Sequence, residues 1–316
     1  TLFPYTTLFR STANSGIDSG LTFRGQKTLE VLGDEYVNRV KGLPVNGYED
    51  GEIEASHFEL DNSLQSHQNW RNWVFFMEAE MAVLVDLGYD IDLKNIYGKS
   101  YYGSNLDSTY QDGFFARNDT RTAYLIGTSN TQTYGIGVHI YGKNNNITVS
   151  GNDLLADGMA SAGVRIDGSD NIFTLDKGTK ITGNGINGMG IYTAFGKEHT
   201  LNINGEVEAT GQNGVAIMAN FGENTLGKDH EIRGSHYRYE SGTFGSFLTN
   251  YKTDANYDER APVMDLDGAL ISNLNINGKV TANQAEYNDI VNADNVKDRL
   301  EKGKVISSAV YIAKNA

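Results

Sequence analysis

The stretch that decides the fold is YGIGVHIYGKNNNITV, residues Tyr134–Val149, because three later stretches repeat its plan. Each begins with a glycine and a short β-branched run, turns at glycine with asparagine or histidine, and ends in a second apolar run. The later copies are SAGVRIDGSDNIFTL, GMGIYTAFGKEHTLNI and QNGVAIMANFGENTL. Their leading glycines, which recur at a nearly constant interval, are Gly137, Gly163, Gly190 and Gly214. Such a regular interval indicates units that bury their apolar faces by stacking on one another.

The repeated unit is strand, turn, strand, and this narrows the fold class. Leucine-rich and ankyrin arrays carry a helix in most repeats, and a propeller blade needs about 40 residues or more. We therefore predict a mainly β protein, a right-handed parallel β-helix that resembles the pectin-lyase-like solenoids, with a packed core rather than a ligand cavity. We expect one core row to contain Val138, Val164, Ile191 and Val215. We expect a ladder of turn side chains to contain Asn146, Asn171, His199 and Asn224.

One sequence phrase occurs twice in the later part of the chain. TLNINGEVEATG around Asn202 recurs as NLNINGKVTAN around Asn275, at a distance of about three repeat units. Between them the period breaks, and we predict a long insertion over residues 221–264. A second insertion with charged helical character is predicted for residues 284–304.

The residues before the repeats have a helical apolar rhythm. Gly88 suits a left-handed stop after the second of two helices, and Tyr89 and Ile91 then alternate as in a strand. The helical positions are Leu29, Leu32, Tyr36 and Val40 in the first helix, and Met77, Met81 and Leu84 in the second. We interpret the two methionines as core packing.

The first eleven residues, TLFPYTTLFRS, are the translation of a widely used sequencing-adapter oligonucleotide. We therefore predict that residues 1–11 are non-native, that they make no consistent contacts with the rest of the fold, and that the native chain is truncated upstream. The remaining domains are predicted as a helical domain over 12–96, a connection over 97–133 and the β-helix over 134–316, truncated at its C-terminus.

Composition excludes several classes of function. The formal net charge is −14, which disfavours nucleic acid and anionic membranes as partners. Cysteine is absent, so disulfides, thiolate catalysis and cysteine-based zinc sites are excluded. No apolar run approaches the roughly 18 residues that a membrane-spanning helix needs.

The usual catalytic motifs are absent as well. The six histidines never form His-Glu-x-x-His, and GNGING (183–188) precedes a predicted strand rather than the helix that dinucleotide binding needs. His139 and His199 fall in repeat positions and are interpreted as ladder or surface residues. A β-helix polysaccharide lyase or hydrolase would need converging carboxylates. The candidates for such a site are Asp157, Asp167, Asp170 and Asp176, with Arg165 two residues before Asp167.

Three phrases in the N-terminal part resemble the C-terminal subdomain of metzincin zinc peptidases of the leishmanolysin-like branch: ASHF, NSLQ and VLVDLGY, within about residues 23–92. The resemblance implies that His57 is the third zinc ligand and that Gln65 stands in place of the Met-turn methionine. We expect His67, the other nearby imidazole, to be a structural or surface residue. The helix with the other two ligands and the general base is missing, so we predict that this chain neither binds zinc tightly nor cleaves protein. The full-length parent would bind zinc if its upstream part contained His-Glu-x-x-His.

A peptidase-like segment before an acidic, cysteine-free β-helix resembles the passenger region of Gram-negative autotransporters. The resemblance implies an extracellular, surface-displayed stalk that is catalytically silent, with an outer-membrane barrel downstream in the parent. Its partner would be an extracellular protein or a host surface, with neither nucleic acid nor membrane contacted by this segment. The alternatives are an adhesin or structural stalk with a degenerate peptidase domain, and a polysaccharide lyase or hydrolase.

Overall fold

The structure is a computed structural model, and its described residues fall into two compact units, one ending at Ile91 and the other beginning at Asp92. The described residues are 9–11, 21–32, 42–45, 48–49, 52–53, 78–120, 122–220, 223–224, 227–228, 269–283, 307–313 and 316. No helix among them is long and apolar enough to cross a membrane.

The first unit combines short antiparallel strands with two helices. Its three-stranded sheet pairs Phe9–Ser11, Leu21–Phe23 and Leu43–Val45 in that order, and a small hairpin joins Tyr48–Glu49 to Glu52–Ile53. The helices span residues 26–32 and Glu78–Asp86.

Both helices of this unit agree with the predicted apolar rhythm where they are described. Leu29 and Leu32 lie in the first helix, and Met81 and Leu84 lie in the second. Tyr36, Val40 and Met77 lie outside the described residues. The Asp86 carboxylate accepts hydrogen bonds from the backbone N–H groups of Lys27 (2.9 Å) and Thr28 (2.8 Å), and so caps the first helix from the second.

The second helix ends as predicted, but the strand predicted after it is wrong. Gly88 has φ of +93°, the left-handed conformation that glycine adopts most easily. Residues 89–92 form no strand; the Ile91 N–H bonds to the Tyr89 carbonyl, a local turn that competes with extension. Asp92 then caps a short helix, Leu93–Tyr97, by accepting from the Lys94 N–H.

The N-terminal segment also differs from expectation. Phe9–Ser11 pairs antiparallel with Leu21–Phe23, with Phe9 opposite Phe23 and Ser11 opposite Leu21. The prediction that residues 1–11 make no consistent contacts with the rest of the fold is therefore wrong for these three, because the edge of Leu21–Phe23 offers backbone partners to an extended segment. Residues 1–8 lie outside the described part.

The second unit is mainly β and is built from three parallel sheets, which the chain visits in turn. The strands are listed here in their order within each sheet. Sheet A contains Lys99–Tyr101, Ile136–Ile140, Ala162–Ser169, Met189–Lys197, Val215–Ala219 and Ser308–Ile312. Sheet B contains Asp107–Tyr110, Asn146–Val149, Ile172–Leu175, His199–Ile203 and Ile271–Ile276. Sheet C contains Leu154–Ala156, Lys180–Gly183, Glu206–Ala209 and Lys279–Ala282.

Two antiparallel pairs lie beside these sheets. Phe115–Arg117 pairs with Tyr124–Ile126, and Glu223–Asn224 pairs with Gly227–Lys228. Parallel pairing already begins at Lys99 and Asp107, inside the segment 97–133 that the sequence suggested as a connection. There Tyr101 and Tyr110 take the places of Ile140 and Val149, so the β-branched signature is absent.

The register confirms most of the predicted core row and corrects its last member. Val138 pairs with Val164, and Val164 pairs with Ile191. Ile191 then pairs with Ile217, whereas Val215 pairs with Met189. The position that follows Gly190 in the row of leading glycines is therefore Ala216, and not Gly214 as the sequence suggested.

The leading glycines allow sheets A and C to approach closely. A Cβ atom on Gly163 would lie 2.3 Å from Cγ2 of Ile181, and one on Gly190 would lie 2.5 Å from Cγ1 of Val207. Both distances are too short for any larger residue. The core between the sheets is correspondingly tight, since Val164, Ile181 and Val207 are all 0% exposed.

The repeated phrase TLNING and NLNING joins neighbouring strands. Asn202 pairs directly with Asn275, so the long segment between them covers one step of sheet B rather than three. Likewise Ile217 pairs with Val310 in sheet A. The predicted insertions, 221–264 and 284–304, lie mostly outside the described residues.

Candidate functional site

The one candidate zinc ligand from the sequence, His57, lies outside the described residues, as do Gln65 and His67. Its role therefore stays a prediction. Across the described ranges, no three His, Asp or Glu side chains are grouped so that they could hold a metal ion.

The candidate carboxylates for polysaccharide cleavage do not converge. Asp157 follows a strand of sheet C and accepts a hydrogen bond from the Asn184 amide at 2.9 Å. Asp170 lies in the turn between sheets A and B, 4.0 Å from the ammonium group of Lys143. Asp176 follows a strand of sheet B. Only Asp167 and Arg165 come together, as their spacing of two residues along one strand predicts.

Asp167 and Arg165 belong to a buried charged cluster with His139 on sheet A, and this cluster is the candidate site. Asp167 Oδ2 lies 2.6 Å from His139 Nε2 and 2.9 Å from Arg165 Nε, and Arg165 Nη2 lies 3.2 Å from Asp167 Oδ1. The exposed fractions are 0% for His139, 4% for Arg165 and 1% for Asp167. Arg165 donates one hydrogen bond to each carboxylate oxygen of Asp167, which is the bidentate geometry that guanidinium and carboxylate groups favour.

Sheet register explains how three residues from two strands meet. His139 and Arg165 are direct partners on neighbouring strands, and Asp167 is two residues further on the same face as Arg165. Val138, Val164 and Ile166 alternate with them and point into the core. The charged cluster is therefore on the opposite face of sheet A from the core, and that face is buried as well.

Electrostatics keep Asp167 ionised. Burial by itself would raise the pKa of this carboxyl, but the charge of Arg165 and the hydrogen bond with His139 outweigh burial and hold the pKa well below its usual range. An ionised carboxylate can only accept hydrogen bonds, so His139 Nε2 carries a hydrogen atom and donates a hydrogen bond to Asp167.

Aromatic rings surround the charged groups. The rings of His139 and Tyr141 have centroids 3.8 Å apart, and the guanidinium carbon of Arg165 lies 5.5 Å from the ring centroid of Tyr192. The Tyr192 hydroxyl donates to the Asn220 carbonyl at 3.1 Å. A cation near a ring face is stabilised by the ring's quadrupole, which offsets part of the cost of burying Arg165.

Chemically, this cluster is suited to holding strands together. The Asp167 carboxylate accepts hydrogen bonds from His139 and Arg165, and the positive charge of Arg165 is paired with that carboxylate. The sequence interpretation of His139 as a ladder or surface residue is wrong. The signal available in the sequence was local alternation: His139 lies between Val138 and Ile140, and Arg165 and Asp167 flank Ile166 after Val164.

A second polar network, the ladder of turn side chains, lies where the chain passes from sheet A to sheet B. Asn145 Oδ1 accepts from the Leu106 N–H and Asn171 Oδ1 from the Asn145 N–H, both at 2.9 Å, while His199 Nδ1 accepts from the Asn171 N–H at 3.4 Å. Asn145, Asn171 and His199 are all 0% exposed.

The predicted ladder was right for Asn171 and His199 and wrong for the other two members. Asn146 is exposed and bonds to Asp107 instead, while its neighbour Asn145 turns inward. Asn224 lies in the short antiparallel pair with Gly227–Lys228, because the chain leaves the repeat after Asn220. Ile271 is the register partner of His199.

No family model, curated protein or solved structure matches the chain.

Proposed function

We propose that the second unit is a right-handed parallel β-helix that serves as a non-catalytic stalk in a protein displayed on a Gram-negative cell surface, the passenger of an autotransporter. The observation that carries the proposal is the register of the parallel sheets, which pairs like residues once per repeat from Val138 to Ile217. Stacking like residues buries a continuous core without enclosing a ligand, which suits a spacer.

The polar networks support the same role. The ladder satisfies backbone N–H groups at successive turns, and the charged cluster ties two strands of sheet A through side chains that are at most 4% exposed. Groups with such internal partners stabilise a fold, whereas substrate-binding groups need access. Because Asp157, Asp170 and Asp176 follow different sheets, polysaccharide cleavage is the less favoured alternative.

The N-terminal resemblance supplies the rest of the proposal. In the full-length parent, a metzincin-like domain would be carried by this stalk, with His57 as the third zinc ligand and an outer-membrane barrel downstream. The partner of the displayed protein would then be an extracellular protein or a host surface. This chain itself is proposed to be catalytically silent.

Display on intact cells tests the stalk proposal. The chain is fused between an export signal and an autotransporter barrel in a Gram-negative host, and intact cells are treated with protease. We expect surface-exposed chain and a resistant fragment that begins near Asp92. Val164→Asp, in the core at 0% exposure, should abolish the resistant fragment, while Ile172→Asp, at 42% exposure, should retain it. Retention of the wild-type chain in the periplasm, or its complete digestion at the surface, would overturn the proposal.

A further inference from the structure

Asparagine residues that precede glycine are prone to spontaneous deamidation, because glycine has no side chain to shield its backbone nitrogen from the asparagine carboxamide. The chain contains six such pairs, of which the pair at residues 46–47 lies outside the described residues. The described pairs lie in turns between strands of the second unit. Their asparagines are Asn184, Asn187, Asn204, Asn213 and Asn277.

Four of the five described pairs are held by a hydrogen bond at the reacting nitrogen. In each of them, the glycine N–H donates to a backbone carbonyl. These bonds join Gly188 to Gly185 (2.8 Å), Gly205 to Leu175 (3.2 Å), Gly214 to Gly211 (3.0 Å) and Gly278 to Ile203 (2.8 Å). A nitrogen bonded in this way must give up its acceptor before it can attack the neighbouring side chain, which slows deamidation.

The pair Asn184–Gly185 lacks this restraint. The Gly185 N–H has no hydrogen-bond acceptor among the described residues, and Asn184 is exposed. The amide nitrogen of Asn184 donates to Asp157 at 2.9 Å, and its amide oxygen accepts from the Thr210 hydroxyl. A donor at the amide oxygen stabilises the negative charge that develops there when the carbonyl carbon is attacked.

We propose that Asn184 is a deamidation site of the folded protein. The backbone nitrogen of Gly185 loses its proton to solvent and forms a bond to Cγ of Asn184. The bond from Cγ to the amide nitrogen breaks, and that nitrogen takes up a proton and leaves as ammonia. Water then opens the resulting succinimide ring at either carbonyl, which gives aspartate or isoaspartate. The only co-reactant is water, and this inference does not depend on the proposed stalk function.

The product alters the corner at which sheet C leads into sheet A. Asn184 follows the strand Lys180–Gly183, and Asp157 occupies the equivalent position one repeat earlier. Deamidation replaces the donor that Asp157 binds with a second carboxylate, so a hydrogen bond is exchanged for like-charge repulsion. The modified chain should therefore be less stable than the unmodified one.

Peptide mapping by mass spectrometry, after incubation of the folded chain at mildly alkaline pH, tests the site. We expect Asn184 to deamidate about tenfold faster than Asn277, because one net backbone hydrogen bond of about 1.4 kcal/mol corresponds to that factor in rate. Asn277 is the matched comparison, since it is also exposed and its Gly278 is more exposed than Gly185. Solvent access alone would therefore favour Asn277. Equal rates, or a faster reaction at Asn277, would overturn the proposal.

Two controls separate the effect of the fold from that of the local sequence. In urea that unfolds the chain, the rates at Asn184 and Asn277 should become similar, because both asparagines precede glycine; a preference for Asn184 that persists there would contradict selection by the fold. In the folded protein, Asn184→Gln should remove the main acidic species seen by ion-exchange chromatography, since glutamine would have to form a larger ring. Persistence of that species would place the reaction at another residue.

The variant Asn184→Asp tests the effect on stability, because it supplies the charge of the product directly. It should unfold at a lower urea concentration than Asn277→Asp, whose new carboxylate would face the Asn204 amide rather than another carboxylate. Equal unfolding midpoints for the two variants would contradict the predicted weakening of the corner.

Discussion

His199 shows what a single side chain contributes to the ladder and what it costs. It is 0% exposed, its Nδ1 accepts from the Asn171 N–H, and its Nε2 has no hydrogen-bond partner among the described residues. Burial lowers the pKa of His199 to about 4, and the nearby negative charge of Asp167 opposes that shift only in part. The imidazole is therefore neutral in the folded protein at neutral pH.

The pKa of His199 predicts acid sensitivity. Because the folded-state pKa lies below the ordinary 6.5, acid favours the unfolded chain, and stability is lost as pH falls from about 6.5 to about 4. Between pH 7 and 4.5 the loss from this group is about 2–3 kcal/mol. Asp167 adds nothing in this window, because its pKa lies below the ordinary 3.8 and its contribution is lost only at lower pH.

The variant His199→Asn isolates this effect, since the ladder already contains an asparagine, Asn171, whose side chain accepts the equivalent backbone N–H, that of Asn145. In urea unfolding, the wild-type free energy should fall by about 2–3 kcal/mol more than that of the variant between pH 7 and 4.5. Parallel pH profiles for the two proteins would contradict the assignment.

At the scale of elements, the ladder predicts that buried and exposed asparagines differ sharply. Asn171 accepts from the Asn145 N–H and donates to the carbonyls of Asp167 (3.0 Å) and Gly142 (3.2 Å). Asn171→Ala removes these partners from a site with no access to water, and should lower the free energy of unfolding by about 3 kcal/mol. Asn146→Ala, at an exposed position one repeat earlier, should change it by less than about 0.5 kcal/mol. Equal losses in chemical denaturation would show that the ladder is not the stabilising network.

The same elements show how far sequence alone could go. The strand–turn–strand repeat could be predicted from the sequence because Gly137, Gly163 and Gly190 recur at a regular interval, each followed by a β-branched residue. The register of Val215–Ala219 could not be predicted, because Gly214 has the sequence context of a leading glycine, whereas Ala216 occupies the position opposite Gly190. Similarly, three consecutive asparagines, 144–146, give no indication of which one turns inward; the turn geometry selects Asn145.

The candidate site was predictable only in part. The spacing of Arg165 and Asp167 placed both on one face of a strand, and they form the ion pair. The sequence could not place His139 beside them, since that contact depends on the exact register between strands that lie one repeat apart in the chain. Nor could it show that the outward face of sheet A is buried, because burial depends on tertiary packing.

At the scale of the molecule, the central claim is that the parallel strands stack in one register across the long interruption of the repeat. Asn202 and Asn275 are partners on adjacent strands, and their side chains hydrogen-bond at 2.9 Å. The alternative that the sequence suggests, a separation of three repeat units, would place them about 14 Å apart at the usual strand spacing. These two arrangements differ in a directly measurable way.

A disulfide between these positions is the most direct test. In the cysteine-free chain, the double variant Asn202→Cys, Asn275→Cys should form an intramolecular disulfide on mild oxidation, because adjacent strands place the two Cα atoms within the range of about 4.4–6.8 Å that a disulfide requires. The control pair Thr148→Cys, Asn202→Cys, two strands apart in the same row, should remain reduced. Peptide mapping by mass spectrometry should find the 202–275 cross-link in most molecules; its absence, with both thiols free in the folded protein, would contradict the stacked register.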